Sequence, residues 1–206
     1  MEVTNLLNIG TRAELYQWYL DNHDTAKDFW LRVNRANAEY PGVIRYVDAV
    51  EVALCFGWID STQKRIDDGK PVQHFTPRSK RSNWCWNNIE RCRRLIDLGE
   101  MTPEGLAVLP DHNPDNFVFE QWVVDALKAD PIVWENFNSF PGTYRRIKVD
   151  RIQHYNNSKR PILFSMSFNE SSPRRLVLIK SIVSFSIILT PFSEIPPFES
   201  VSPSFI

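Results

Sequence analysis

The stretch YVDAVEVALCFGWID (residues 46–60) decides the fold, because the rest of the chain can be organised around it. Residues 46–58 are apolar on almost every side of a helix, which predicts a helix buried in the core. Gly57 is expected to end this helix, and Trp58 is expected to pack where the chain leaves it. The sequence leaves the role of Asp60 open: its carboxylate either caps the next turn or pairs with a basic residue of the following segment.

Cys55 lies on an apolar face of the same helix, three residues after Val52 and six after Ala49. A thiol on such a face is desolvated, which raises its pKa and makes it unreactive. The structural interpretation of Cys55 is therefore favoured over a catalytic one. A base supplied by another part of the fold would be needed to change that.

The segments on either side of this helix alternate between helical and strand patterns. A half-buried strand is predicted over 26–35, and a hairpin over 61–78 that turns at Asp68 and Gly69. Pro71 lacks an N–H group and is expected at an edge of that hairpin. Three helices are predicted before residue 110: 11–22 with Thr11 as N-cap, 82–101 between Ser82 and Gly99, and a short helix with Thr102 as N-cap. Three more are predicted after it: 119–129, 130–140 with Asp130 as N-cap, and 142–155. Together these elements predict an α+β fold, a mostly helical single domain with a small antiparallel sheet or hairpin.

Composition gives few functional constraints. With 43% hydrophobic residues, 24% charged residues and a net charge of -1, the chain has no global affinity for polyanions or membranes. The start of the chain has no basic region followed by an apolar one, so no secretory signal is predicted and the cytoplasm is the expected location. The three cysteines have no metal-type spacing, which is typical of a reducing compartment.

The C-terminal part of the chain has a different composition. Residues 161–206 are rich in Ser, Pro and Phe, and only six charged residues follow Pro161. We place a boundary near Arg160, with one domain over 1–160 and an atypical tail over 161–206, which a frameshift or disorder would explain. The apolar run 176–190 contains Lys180 and is shorter than the ~20 residues of a membrane-spanning helix, so no span is expected.

Motifs of the common enzyme classes are absent. The sequence contains no phosphate-binding glycine loop, no nucleophile elbow and no zinc-protease motif, and its histidines are isolated from one another. His74 is expected on the exposed face of the hairpin. No cofactor and no metal ion is therefore expected, and an enzyme is less expected than a binding protein, with Cys55 and Asp60 or His74 as the residues of an enzymatic alternative.

A basic segment follows the hairpin. Between Arg78 and Arg94 the chain carries six basic residues against one acid, Glu90, with aromatic residues Phe75, Trp84 and Trp86 beside them. Arginines beside aromatic rings can pair with phosphates and stack on bases. A solvated helix face explains the same pattern, and the near-neutral domain favours that explanation over nucleic-acid binding.

Three segments resemble the YdeI/OmpD-associated family, also called bacteriocin-protection or OmdA-like proteins. They are VDAVEVALCFGWIDS (47–61), VQHFTPRSKRSNW (72–84) and RLIDLGEMTPEGL (94–106), in an ordered match over residues 11–109. Residues 119–156 look like the helical C-terminal part of the family, while Cys85 and the tail depart from its pattern. The resemblance implies a bacterial protein of antimicrobial-peptide tolerance with a porin association known from the family name, and it supplies no catalytic residue.

The resemblance thus implies a stress-tolerance protein, and with the absence of enzyme motifs we expect a non-enzymatic protein that binds a protein partner or an anionic ligand. The candidate site lies where the hairpin meets the 82–98 helix. Arg78 would clamp the anion, Asp60 would orient Arg78, and Gln73 and Asn88 would donate hydrogen bonds. The full set of candidate residues is Asp60, Gln73, Arg78, Ser82, Trp84, Asn88 and Arg91. An internal Asp60–Arg78 ion pair is the structural alternative, and nucleic-acid binding through 75–94 is the functional one.

Overall fold

A computed structural model of the protein describes residues 2–35, 40–66, 69–79 and 82–157, with the backbone alone for 155–157. The strands are β1 (Leu6–Leu7), β2 (Phe29–Arg32), β3 (Trp58–Arg65) and β4 (Pro71–Pro77). The helices are α1 (Arg12–Asn22), α2 (Tyr46–Cys55), α3 (Trp86–Asp97), α4 (Pro103–Val108), α5 (Gln121–Lys128), α6 (Pro131–Ser139) and α7 (Gly142–Asn157), with a short 3-10 helix at Pro114–Asn116. The tail 161–206, the boundary at Arg160 and Asp68 of the predicted turn lie outside the described residues.

The α+β prediction is confirmed, with one correction to the sheet. The strand order is β1-β2-β4-β3, and β1 runs parallel to β2 while the other pairs are antiparallel. The sheet is therefore mixed and not purely antiparallel. The sequence did not predict β1, because a strand of two residues is too short to leave a sequence pattern. Pro71 is not on an edge strand: it is the first residue of the interior strand β4, where its missing N–H is tolerated.

The end of α2 follows the sequence prediction closely. The helix ends at Cys55, Gly57 takes a left-handed conformation with φ +74°, and β3 begins at Trp58. Glycine adopts this conformation without steric cost, so it turns the buried helix directly into a strand. Gly105 at α4 allows a close approach to the same end, since an added Cβ would lie 2.2 Å from the carbonyl oxygen of Cys55.

The predicted start of α3 at Ser82 is wrong. The helix begins at Trp86, whose backbone N–H donates to Asp150 Oδ2 at 2.9 Å. The Ser82 hydroxyl instead accepts from the backbone N–H of Ser79 at 3.1 Å. The acceptor at the first turn thus comes from α7, far along the chain, and no local capping pattern reveals it.

The described residues form two compact units. The first lies within 1–84 and 88–112, and the second within 85–87 and 113–157. In the first unit, α1 and α2 pack on one face of the sheet through a core that includes Tyr19, Leu54, Phe29, Leu31 and Phe75. The second unit has its own helical core, formed by Phe117, Val123, Leu127, Val133, Phe137, Val149 and Ile152.

Candidate functional site

Tyr46, the first residue of α2, is the centre of the site. Its hydroxyl donates to Asp60 Oδ2 at 2.7 Å, which ties the start of the buried helix to the third residue of strand β3. Burial raises the pKa of Tyr46, and the neighbouring Asp60 carboxylate raises it further. The phenol therefore stays protonated and remains a hydrogen-bond donor.

The guanidinium group of Arg35 stacks on the Tyr46 ring. Its guanidinium carbon lies 3.8 Å from the centre of the Tyr46 ring, a distance typical of a cation–π interaction. Arg35 Nη2 also donates to Gln73 Oε1 at 2.8 Å. Gln73 is 1% exposed, and its Nε2 donates to the carbonyl of Thr62 at 3.3 Å, so strand β4 holds the guanidinium in place.

Arg91 of α3 brings a second guanidinium group into electrostatic range of Tyr46. The positive charges of Arg35 and Arg91 both act to lower the pKa of Tyr46, against the larger effect of burial. Arg91 Nη1 donates to Asn88 Oδ1, one turn earlier on the same helix, at 2.8 Å. We call Arg35, Tyr46, Asp60, Gln73 and Arg91 the Tyr46 cluster.

The Tyr46 cluster contains buried hydrogen-bond donors that are not used. The Nε atoms of Arg35 and Arg91 are both buried and have no hydrogen-bond partner in the part of the chain that the structure describes. The same holds for the hydroxyl of Tyr19, a fully buried residue whose pKa is raised by burial and then by Asp60. Two guanidinium groups against one carboxylate leave an excess of positive charge, which suits an anionic ligand.

Four of the seven predicted site residues lie in or beside this cluster: Asp60, Gln73, Asn88 and Arg91. The structure gives the other three different contacts. The Arg78 guanidinium lies 3.6 Å from the centre of the Trp84 ring and donates to the carbonyl of Asn83 at 3.4 Å. Ser82 bonds to Ser79.

The structure therefore places Arg35 and Arg91, and not Arg78, beside Tyr46, and Asp60 accepts a hydrogen bond from the tyrosine hydroxyl instead of pairing with Arg78. Sequence reasoning missed Tyr46 and Arg35. A tyrosine at the first position of a mostly apolar helix was the available signal for Tyr46. Arg35 left no signal, because its role depends on the pairing of β2 with β4.

The residues of the enzymatic alternative have different environments. Cys55 is fully buried, and burial raises its pKa to about 12, as the sequence predicted for an unreactive thiol. His74 is not on an exposed face: it is 4% exposed and stacks on Trp30 with 4.6 Å between the ring centres. Among the described residues, no group of three or more His, Cys, Asp and Glu side chains is suited to hold a metal ion.

A comparison with protein-family models gives a match over just under half of the chain. Residues 7–108 match the model of a family described as a domain of unknown function (DUF8412). The matched range includes every residue of the Tyr46 cluster. No curated protein and no solved structure matches the chain. Within the described ranges, the helices are too short or too polar to cross a membrane.

Proposed function

We propose that the protein binds a small anionic ligand through the Tyr46 cluster, and that it acts at this site by binding rather than by catalysis. The ligand class is a phosphate or carboxylate compound, because both groups accept paired hydrogen bonds from a guanidinium. Arg35 and Arg91 would hold the anion, and Tyr46 would carry Arg35 on its ring. Asp60 would keep the Tyr46 hydroxyl in position.

The observation that carries this proposal is the pair of buried, unpartnered Nε atoms of Arg35 and Arg91. An unmade hydrogen bond at a buried charged donor costs about 1–3 kcal/mol or more, so such donors normally have a partner. An anion beside Tyr46 would accept from both groups. It would also offset the positive charge that Asp60 alone leaves in excess.

The cellular role in this proposal comes from the resemblance to the YdeI/OmpD-associated family. On that basis we propose a bacterial, cytoplasmic stress-tolerance protein for which the bound anion is the signal or the stored compound. The proposal that a porin or another protein is the partner rests on the family name alone. The Tyr46 cluster supports ligand binding and carries no information on the cellular role or on a protein partner.

Nucleic-acid binding through 75–94 receives less support from the geometry. Arg78 covers the face of Trp84 on which a base would stack. On α3, Arg93 pairs with Glu90 at 2.8 Å and Arg94 pairs with Glu51. These contacts occupy basic and aromatic groups that a nucleic acid would otherwise use for pairing and stacking.

The experiment titrates the full chain with inorganic phosphate, pyrophosphate and citrate and records the melting temperature. A ligand at one hundred times its Kd stabilises the folded state by about 2.7 kcal/mol, so saturable binding gives a clear shift. We expect at least one of these anions to raise the melting temperature. The Arg91→Gln variant should abolish the shift, since it removes one of the two guanidinium groups.

Arg93→Gln is the matched control, because it makes the same change two residues further along α3 at an arginine paired with Glu90. It should keep the ligand-induced shift. Equal shifts in both variants would show nonspecific ion effects and contradict the proposal. The absence of a shift with all three anions would contradict it as well.

A further inference from the structure

A second group of polar side chains lies on the opposite face of the sheet from the Tyr46 cluster. The pairing of β3 with β4 shifts between Asp60 and Gln63, which is a bulge opposite His74. Successive side chains on a strand point to opposite faces, so Asp60 meets Tyr46 while Ser61 meets the imidazole. Ser61 Oγ lies 2.9 Å from His74 Nδ1. Bulges often aim a side chain at an active site.

Asp28, just before β2, completes the arrangement. Its Oδ2 lies 3.5 Å from His74 Nε2, on the far side of the ring from Ser61, where its charge acts on the ring although Nε2 has no hydrogen-bond partner among the described residues. A carboxylate at this position favours the tautomer with the proton on Nε2, which leaves Nδ1 free to accept the Ser61 proton. The Trp30 ring, stacked at 4.6 Å, fixes the plane of the imidazole. The three groups have the order of a serine, a base and its orienting acid.

We propose that Ser61 is a nucleophile for acyl transfer from small carboxylic esters, with His74 as its general base and Asp28 as the positioning residue. Ser61 Oγ forms a bond to the carbonyl carbon while its proton moves to His74 Nδ1. The ester C–O bond then breaks, and His74 returns the proton to the departing alkoxide. Water, activated by His74 in the same way, hydrolyses the acyl-serine and regenerates Ser61.

The surroundings of Ser61 favour an ester substrate. Ser61 is exposed, so a substrate reaches the hydroxyl directly, while His74 behind it is buried. The Lys64 amine lies 5.8 Å from the centre of the Trp30 ring, the ring that stacks on His74, and brings a cation to this side of the sheet. A cation near the site stabilises the oxyanion that forms during attack on a carbonyl.

The test treats the full chain with p-nitrophenyl acetate and measures p-nitrophenolate release together with the acetylated residues by peptide mass spectrometry. We expect acetylation at Ser61 and not at Ser79, an exposed serine whose hydroxyl faces Ser82 and so serves as an internal control. Ser61→Ala should abolish the release above background. His74→Asn should slow it about a hundredfold, the usual contribution of a general base.

Asp28 is tested by a pair of variants. Asp28→Asn should slow acetylation of Ser61 about tenfold or more, and Asp28→Glu should restore most of the rate, which a purely structural role would not do. This pair decides the matter even if His74→Asn does not fold, because Asp28 is partly exposed. Acetylation of Ser61 and Ser79 at equal rates, or an unchanged rate in Asp28→Asn, would overturn the proposal.

Discussion

Two pairs of arginines lie near the same helix, α2, and their charges are balanced in different ways. Glu51 of α2 is 7% exposed and pairs with Arg12 at 3.2 Å and with Arg94 through its other oxygen, while Arg12 also contacts Glu100. We call these four residues the Glu51 cluster. Five positions earlier on the helix, Tyr46 carries Arg35 and lies within range of Arg91, with Asp60 bonded to the phenol.

The difference separates a structural charge cluster from a candidate binding site. In the Glu51 cluster two carboxylates balance two guanidinium groups, and each arginine is paired with an acid. In the Tyr46 cluster one carboxylate accompanies two guanidinium groups, and both Nε donors are buried without a partner among the described residues. The number of arginines is the same. The acids that accompany them decide whether an anion from solution has a place to bind.

The largest effect on stability is expected from Glu51→Gln. Removing the charge of a buried carboxylate leaves Arg12 and Arg94 near each other with one acid fewer, and breaking such a pair costs about 3 kcal/mol. Urea denaturation of the full chain measures the loss. Asp48→Asn is the matched control on the same helix, because Asp48 pairs at 2.7 Å with Arg45, which is 67% exposed. It should cost less than about 1 kcal/mol. Equal losses would remove the distinction between buried and surface pairs on α2.

The fold was largely predictable because its main elements have local signals. The buried helix begins at Tyr46 as predicted and ends at Cys55, three residues before the predicted limit, with Gly57 at its end. The Thr11, Thr102 and Asp130 caps appear where the structure has them. The errors concern partners far apart in sequence. The acceptor for Trp86 N–H is Asp150, and strand β1 is defined by its pairing with β2. Neither contact leaves a trace in the residues next to it.

The site was predictable in part for the same reason. Asp60, Gln73 and Arg91 were identified as polar residues beside a hairpin and a helix that were themselves visible in the sequence. Their contacts were not, because Tyr46 lies on α2 and Arg35 follows β2, and both meet these residues only in the folded chain. His74 was misplaced for a related reason: a hairpin alone has two solvated faces, but in the four-stranded sheet β2 pairs with β4 and its Trp30 stacks on the imidazole.

A smaller effect is expected from Tyr46→Phe, which tests the Tyr46 cluster directly. The change removes the donor to Asp60, and a hydrogen bond to a charged group contributes about 1.5–3 kcal/mol. We expect a loss near the lower limit, about 1.5 kcal/mol, because Asp60 is only partly buried and water can replace the phenol. The freed carboxylate should also weaken pyrophosphate binding. Tyr16→Phe is the control, since Tyr16 packs edge-on against Phe56 at 4.9 Å and should change stability by less than about 0.5 kcal/mol.

The smallest effect is expected at Cys55, one turn after Glu51 on α2. Burial raises the pKa of its thiol to about 12, and the nearby charge of Arg12 only partly opposes this. At pH 8 the thiol is therefore protonated in the folded protein, and iodoacetamide should alkylate the half-buried Cys85 first and Cys55 only after unfolding in urea. Mass spectrometry of the alkylated peptides measures the order. Rapid alkylation of Cys55 in the folded chain would mean that Arg12 activates the thiol, and the Glu51 cluster would then be a reactive site instead of a structural one.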